Sequence, residues 1–202
     1  QKKTVLKQGI ENTNVKGNTA RTKGGAVAIM KFDNTAQSNT TFTNVTFEDN
    51  ASNGTGGAVH IESENVSLTN ATFTGNTANA ASGQGGAIYA SKGTDLSIDH
   101  ATFTGNEAGK YGGAIAGDFE GTSNIVIQNS LFDQNKATTK SGSGGAIALW
   151  SDGSDAGAQH SISDTVFSGN TAENKGGAIV ALVNHSYTTQ TLSLDLDDVD
   201  FI

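Results

Sequence analysis

The side chains here whose types and spacing could do chemistry are a run of carboxylates, four imidazoles, one indole and a few lysines. Asp195, Asp197, Asp198 and Asp200 alternate with Leu194, Leu196 and Val199. Paired carboxylates are the machinery of glycoside hydrolysis, one as acid and one as nucleophile or base. The alternation with apolar residues instead places these aspartates on the solvent face of a strand. His60, His100, His160 and His185 show no H-x-x-x-H spacing, no Ser-His-Asp order accompanies them, and there is no phosphate-binding glycine loop. Without cysteine there is neither a disulfide framework nor a Cys-based zinc site, and no cofactor is expected. The single Trp opens a polar stretch, Trp150-Ser151-Asp152-Gly153-Ser154-Asp155. It reads either as an exposed aromatic platform beside calcium-binding carboxylates or as an insertion whose Trp packs over the neighbouring layer. Asp152 and Asp155 supply too few ligands for a calcium loop. Phe119-Glu120-Gly121, after Asp118, carries the same two readings. Lys23, Lys110 and Lys175 sit near glycine pairs, either as a ridge for acidic glycans or as solvated loop side chains.

The elements that must position these residues are repeats. Gly-Gly-Ala-Ile/Val occurs six times, at Gly24, Gly56, Gly85, Gly112, Gly144 and Gly176, with intervals of 32, 29, 27, 32 and 32 residues. In step with it runs F-x-x-N: Phe47/Asn50, Phe73/Asn76, Phe103/Asn106, Phe132/Asn135 and Phe167/Asn170, with Val15/Asn18 a degenerate first copy. From each Asn to the next glycine pair is six or nine residues. A period between 20 and 50 residues marks a solenoid, propeller or array. Apolar positions alternate with a period of two after each glycine pair (Val59/Ile61, Ile147/Leu149) and before each Phe (Val66/Leu68, Leu96/Ile98). A further strand holds the Phe itself, as in Ala71-Thr72-Phe73.

Three short strands per coil describe an all-β, right-handed parallel β-helix of about six coils, roughly 30 Å long at the ladder spacing. Stacked coils place equivalent residues above one another. The Phe then form an internal column, the Asn an amide ladder, and the glycines corners with positive φ and close backbone approach. A second polar column follows at Asn12, Asn44, Asn70, His100, Asn129, Asp164 and Asp198, with Asn44 and Asn70 expected to be buried. Ala28, His60, Tyr89, Ala148 and Val180 are expected to face outward.

Composition narrows the function. The 202 residues include 26 Gly and no Pro, and the formal charge of −8 disfavours nucleic acid as a partner. No apolar run reaches the length of a membrane span, and no signal-peptide pattern opens the chain. The whole chain, residues 1–202, reads as a single β-helix truncated at both ends, because residues 197–202 match the approach to another F-x-x-N.

Alternating G-G-A-[I/V] and F-x-x-N copies resemble the polymorphic membrane protein repeat, best known from chlamydiae. The resemblance spans Val15 to Ile179. It implies an autotransporter passenger, exposed at the bacterial surface or secreted and exported through a C-terminal outer-membrane barrel. Such a passenger is an adhesin that attaches to a host-cell receptor or glycan and self-associates, here through open coil ends. It implicates the motif residues in adhesion: Gly85, Gly86, Ala87, Ile88, Gly112, Gly113, Ala114 and Ile115, with Phe73, Asn76, Phe103, Asn106, Phe132, Asn135, Phe167 and Asn170. The residues' own chemistry assigns these mainly to building corners and ladders. Receptor contacts are then expected on outward strand positions and in loops, with Trp150, Asp152 and Asp155 as candidates. Right-handed β-helices also include polysaccharide-active enzymes, which place aspartates with basic residues on one face over neighbouring coils. That pattern is not visible here, so the expectation is a non-enzyme. A polysaccharide-active enzyme and a structural spacer remain the alternatives.

Overall fold

The structure is a computed structural model that describes residues 6–30, 38–62, 65–119, 123–151, 158–183 and 192–202. Its strands stack in parallel into three sheets, one of twelve strands and two of six, that run the length of a β-solenoid. The largest sheet is bent. Its first arm holds strands such as Asn65–Thr69, Asp95–Asp99 and Ile125–Gln128, paired in register. Its second arm holds the Phe strands, Thr46–Glu48, Thr72–Thr74, Thr102–Thr104 and Leu131–Asp133. In one coil both arms form the single strand Ala158–Ser168. The two strands that the sequence separates around each Phe are therefore arms of one wall. A wall of two-residue rungs after each Asn, such as Thr77–Ala78 paired with Glu107–Ala108, completes the coil before the glycine pair. The third wall follows it, with Val59–Ile61, Ile88–Ala90 and Ile115–Asp118 in register.

The bend has a local cause. Asn12, Asn44, Asn70, His100, Asn129, Asp164 and Asp198 all hold φ between 47° and 54°. Asn and Asp tolerate this left-handed geometry better than other side-chain-bearing residues. The second polar column is thus the corner between the arms. Its amides do form a ladder, Asn70 donating to Asn44 and Asn44 to Asn12. The expectation that Asn44 and Asn70 are buried is overturned: both are exposed, because a left-handed corner residue points its side chain out of the coil. A second left-handed column lies two residues after each Phe, occupied by Gly17, Asp49, Gly75, Gly105, Gln134 and Gly169.

The core runs along the solenoid axis. Phe47, Phe73, Phe103, Phe132 and Phe167 stack with ring centroids 4.7 to 4.9 Å apart and nearly parallel planes. Phe201 adds a sixth ring at 5.2 Å, in register with Phe167. Each stacked pair is worth about 0.5–1.5 kcal/mol beyond its area burial. Phe119 belongs to this interior, not to a surface loop: it is fully buried, and a Cβ on Gly117 would lie 2.0 Å from its ring. The ring fills the space left by the missing side chain on the inward-facing Gly117. Glu120 and Gly121 lie outside the described residues.

Candidate binding surface on the third wall

The motif residues are used inside the coil. Asn50, Asn76, Asn106 and Asn135 are fully buried. The Asn106 side-chain oxygen accepts from the backbone N–H and side-chain amide of Asn76, each at 3.0 Å. Its own amide donates to the Phe73 carbonyl at 3.0 Å and to Asn135 Oδ1 at 2.9 Å. Asn76 and Asn135 repeat the pattern, and Asn170 receives the last link. Every hydrogen-bonding position of the interior amides is filled, so nothing is left to offer a ligand.

The two glycines of a pair differ in role. Gly85 and Gly112 have φ of 66° and 61°, and a Cβ on either would fall about 2 Å from the carbonyl oxygen three residues on, Ile88 and Ile115. On Gly86 a Cβ would meet the Gly113 oxygen of the neighbouring coil at 2.0 Å. The first glycine turns the corner and the second lets coils approach. Ala87, Ile88, Ala114 and Ile115 are buried behind them. Phe103, Phe132 and Phe167 lie in the ring column with Phe73.

The outer face of the third wall departs from expectation. Ala28, His60, Tyr89, Ala116, Ala148 and Val180 share one outward column. Yet His60 is 2% exposed, Val180 9%, and Ala116 and Ala148 not at all. Side chains from neighbouring columns cover them. Trp150, half-buried, stands in the next outward column opposite Asp118. It lies against Tyr89 at 6.2 Å and Tyr111 at 5.4 Å, tilted by 48° and 43°. These tyrosines belong to two earlier coils, so the indole reaches back along the rod over the small residues Ala116 and Ala148. Tyr89 in turn stacks on His60 at 5.1 Å. Lys110 Nζ lies 4.7 Å from the Tyr111 ring centre, a cation–π contact. Asp152 and Asp155 lie outside the described residues.

Polar groups border these rings. Thr55 Oγ1 is 2.8 Å from His60 Nδ1, and His60 Nε2 is 3.1 Å from Glu62 Oε1. Glu62 also pairs with Lys23. Burial pushes the His60 imidazole below its ordinary pKa. Burial opposes ionisation of Glu62, but hydrogen bonds from Lys23 and His60 prevail and hold it below the usual carboxylate value. A neutral His60 then donates from Nε2 to Glu62 and accepts the Thr55 hydroxyl at Nδ1. Hydroxyl, base and carboxylate stand in the order of an activated nucleophile. The next two backbone donors, Gly56 and Gly57 N–H, are committed to the Gln84 and Gly85 carbonyls. They cannot form an oxyanion hole, which acyl transfer needs. Lys92 and Asp118 form another pair near the rings, at 3.8 Å.

Other sequence candidates fall apart in space. Lys23 and Lys175 sit at opposite ends of the column Lys23, Thr55, Gln84, Tyr111, Ser143, Lys175, and Lys110 is one residue out of phase, so no lysine ridge exists. Asp195, Asp197, Asp198 and Asp200 are exposed along Leu192–Phe201. Among the described residues no group of three His, Asp or Glu converges as metal ligands, and no helix is long and apolar enough to cross a membrane. His160 was not singled out by sequence reasoning. It occupies an inward column with Thr40, Val66, Leu96, Ile125 and Leu194, and burial pushes its pKa down to about 4.

The model of the Chlamydia polymorphic membrane protein repeat matches residues 44–62, 70–91, 100–118, 129–149 and 164–182. The chain belongs to the polymorphic membrane protein repeat family. No curated protein and no solved structure matches it. Membership places the chain with surface or outer-membrane-associated proteins. Each matched segment of this polymorphic membrane protein repeat chain begins at a left-handed corner residue, Asn44, Asn70, His100, Asn129 or Asp164, and ends on or just after the third wall. The family signature is therefore the path from corner through Phe, Asn and glycine pair. Trp150 directly follows the fourth match and stands in register with Asp118 and Leu182, the last residues of the third and fifth.

Proposed function

We propose that this polymorphic membrane protein repeat chain is the adhesive part of a bacterial surface protein, an autotransporter passenger that attaches to host cells. One observation carries the reading. The repeat residues are consumed in building a rigid rod, and a patch of half-buried aromatic rings with polar borders stands on its outer wall. Interior Asn, Phe and glycine residues support adhesion by holding coils together. Contact with a receptor comes from outward positions. A long lateral surface gives weak binding per coil and avidity when many coils engage. Self-association through strand edges at the coil ends belongs to the same proposal, because unpaired edges recruit further strands. No catalytic role is assigned, since the Gly56 and Gly57 N–H groups beside the Thr55–His60–Glu62 chain are committed and, among the described residues, the aspartates of 195–200 share no face with a basic partner.

The test is binding of the purified chain to epithelial cells, with a polysaccharide-depolymerisation assay on the same preparation. Saturable binding without product release is expected. Release of oligosaccharides would replace the adhesin reading with an enzyme, and absence of both signals would leave a spacer.

A further inference from the structure

The third wall carries a more specific assignment, which rests on the adhesin reading. We propose that the strip formed by Tyr89, Trp150 and Tyr111, with Lys110 at its edge, binds a chain of hexose or N-acetylhexosamine sugars. The rings come from three successive coils and cluster on one wall, the Trp150 indole contacting both tyrosines. The indole centroid lies 6.2 and 5.4 Å from the two tyrosine rings, separations comparable with the advance of one sugar ring along a glycan. Tyr and Trp present apolar bodies with polar tips and lose little conformational freedom when they bind. Sugars present the complementary surface, C–H faces edged by hydroxyls.

The polar atoms here indicate the charge of the ligand. Trp150 Nε1 and the Tyr111 hydroxyl make no hydrogen bond among the described residues, although both rings are half-buried. They are neutral donors open to an acceptor such as a sugar oxygen. The charges around them are internally compensated, Lys23 with Glu62 and Lys92 with Asp118. Lys110, held against the Tyr111 ring, is the one ammonium among the described residues that contacts a ring of the strip. One cation does not suit a polyanion. A protein partner is also disfavoured, because stable protein interfaces bury about 800 Å² per side around an apolar centre. This strip is instead a narrow line of rings with ion pairs at its borders.

The position of Trp150 supports a dedicated role. Its register partners in the neighbouring coils are Asp118 and Leu182, so coil building does not demand an aromatic residue at this position. The neighbours beneath it, Ala116 and Ala148, are small enough to let the indole lie back between the two tyrosines.

Trp150 is the only Trp of the chain, so its fluorescence reports on this site alone. Titration of the purified chain with N-acetylchitohexaose, cellohexaose and lacto-N-neotetraose is expected to change that emission saturably for at least one probe. Tyr111→Ala, which leaves Trp150 in place, is expected to weaken that probe at least tenfold with unchanged circular dichroism and melting temperature. Cell binding of the unaltered chain is expected to fall at least tenfold after enzymatic removal of cell-surface glycans. Cell binding that survives both Tyr111→Ala and deglycosylation would overturn the glycan site while leaving the adhesin reading intact, with a protein receptor implied. Glycan binding with silent fluorescence and no effect of Tyr111→Ala would place the site elsewhere and also overturn the proposal. Failure to bind either cells or any probe would remove both readings.

Discussion

Replacing Asn106 by Ala separates the structural role of the repeat Asn from a binding role. Asn106 sits in the middle of the ladder and is fully buried. The change deletes four hydrogen bonds, two accepted from Asn76 and two donated, to Phe73 O and Asn135 Oδ1. Asn135 Oδ1 retains the backbone N–H of residue 106. The Asn76 N–H and one Asn76 amide hydrogen are left without partners in a site closed to water, while the Phe73 carbonyl keeps its place in the strand ladder. At about 1–3 kcal/mol for each orphaned group, the loss is roughly 2–5 kcal/mol after partial relaxation. A domain of this size holds only about 5–15 kcal/mol in total. Coils contact only their neighbours, so the damage is local and separates the rod into two weakly coupled halves. Asn18→Ala is the control. Asn18 is exposed and donates to Lys16 O and Asn50 Oδ1 without being enclosed, so its loss costs about 1 kcal/mol or less. Urea titration followed by circular dichroism measures both. The Asn106 variant should show a lowered midpoint and a broadened or biphasic transition, and its cell adhesion should fall in parallel with its folded fraction. If Asn106→Ala costs no more than Asn18→Ala, or loses adhesion while fully folded, the ladder argument is wrong and the Asn contacts a receptor directly.

Three further outcomes follow from the geometry. Burial holds His160 at about 4 when folded, against about 6.5 unfolded. Below about pH 6.5 the unfolded chain takes up a proton that the folded chain refuses, so stability falls by up to about 3 kcal/mol down to about pH 4. His160→Leu, matching Leu96 and Leu194 in the same column, should flatten that part of the thermal-midpoint profile. Gly86→Ala places a Cβ 2.0 Å from the Gly113 oxygen and should cost about 3 kcal/mol or more, whereas Gly105→Ala meets open space and costs about 1 kcal/mol through its φ of 60° alone. Gln134→Gly relieves a left-handed side-chain-bearing residue with φ of 54° and should raise stability by about 0.5–1 kcal/mol in denaturant titration. Asp49→Gly should gain less, because it also removes the exposed Lys16–Asp49 contact at 3.6 Å.

Much of the solenoid was legible because each coil repeats a local instruction. Positive-φ glycines, Asn at corners and Phe at a fixed offset act within a few residues, and parallel stacking turns a period into columns. The ring column, the amide ladder and the corner column at Asn12 to Asp198 all follow from alignment of the copies. Burial at the corner column was misread, since alignment gives position along a coil but not the direction in which a left-handed residue points.

The sequence by itself determined the period, the motif columns and the parallel stacking, because those depend on residues related by a constant step. Tertiary structure alone decided what lies beside what across unequal steps. Tyr89, Tyr111 and Trp150 occupy different offsets from the glycine pair in three coils and meet because the indole lies back over Ala116 and Ala148. The same holds for Phe119 filling the space at Gly117, and for His60 linking Thr55 to Glu62 beneath a column expected to face water. Such contacts arise from packing of unlike residues, for which a repeating sequence carries no periodic signal.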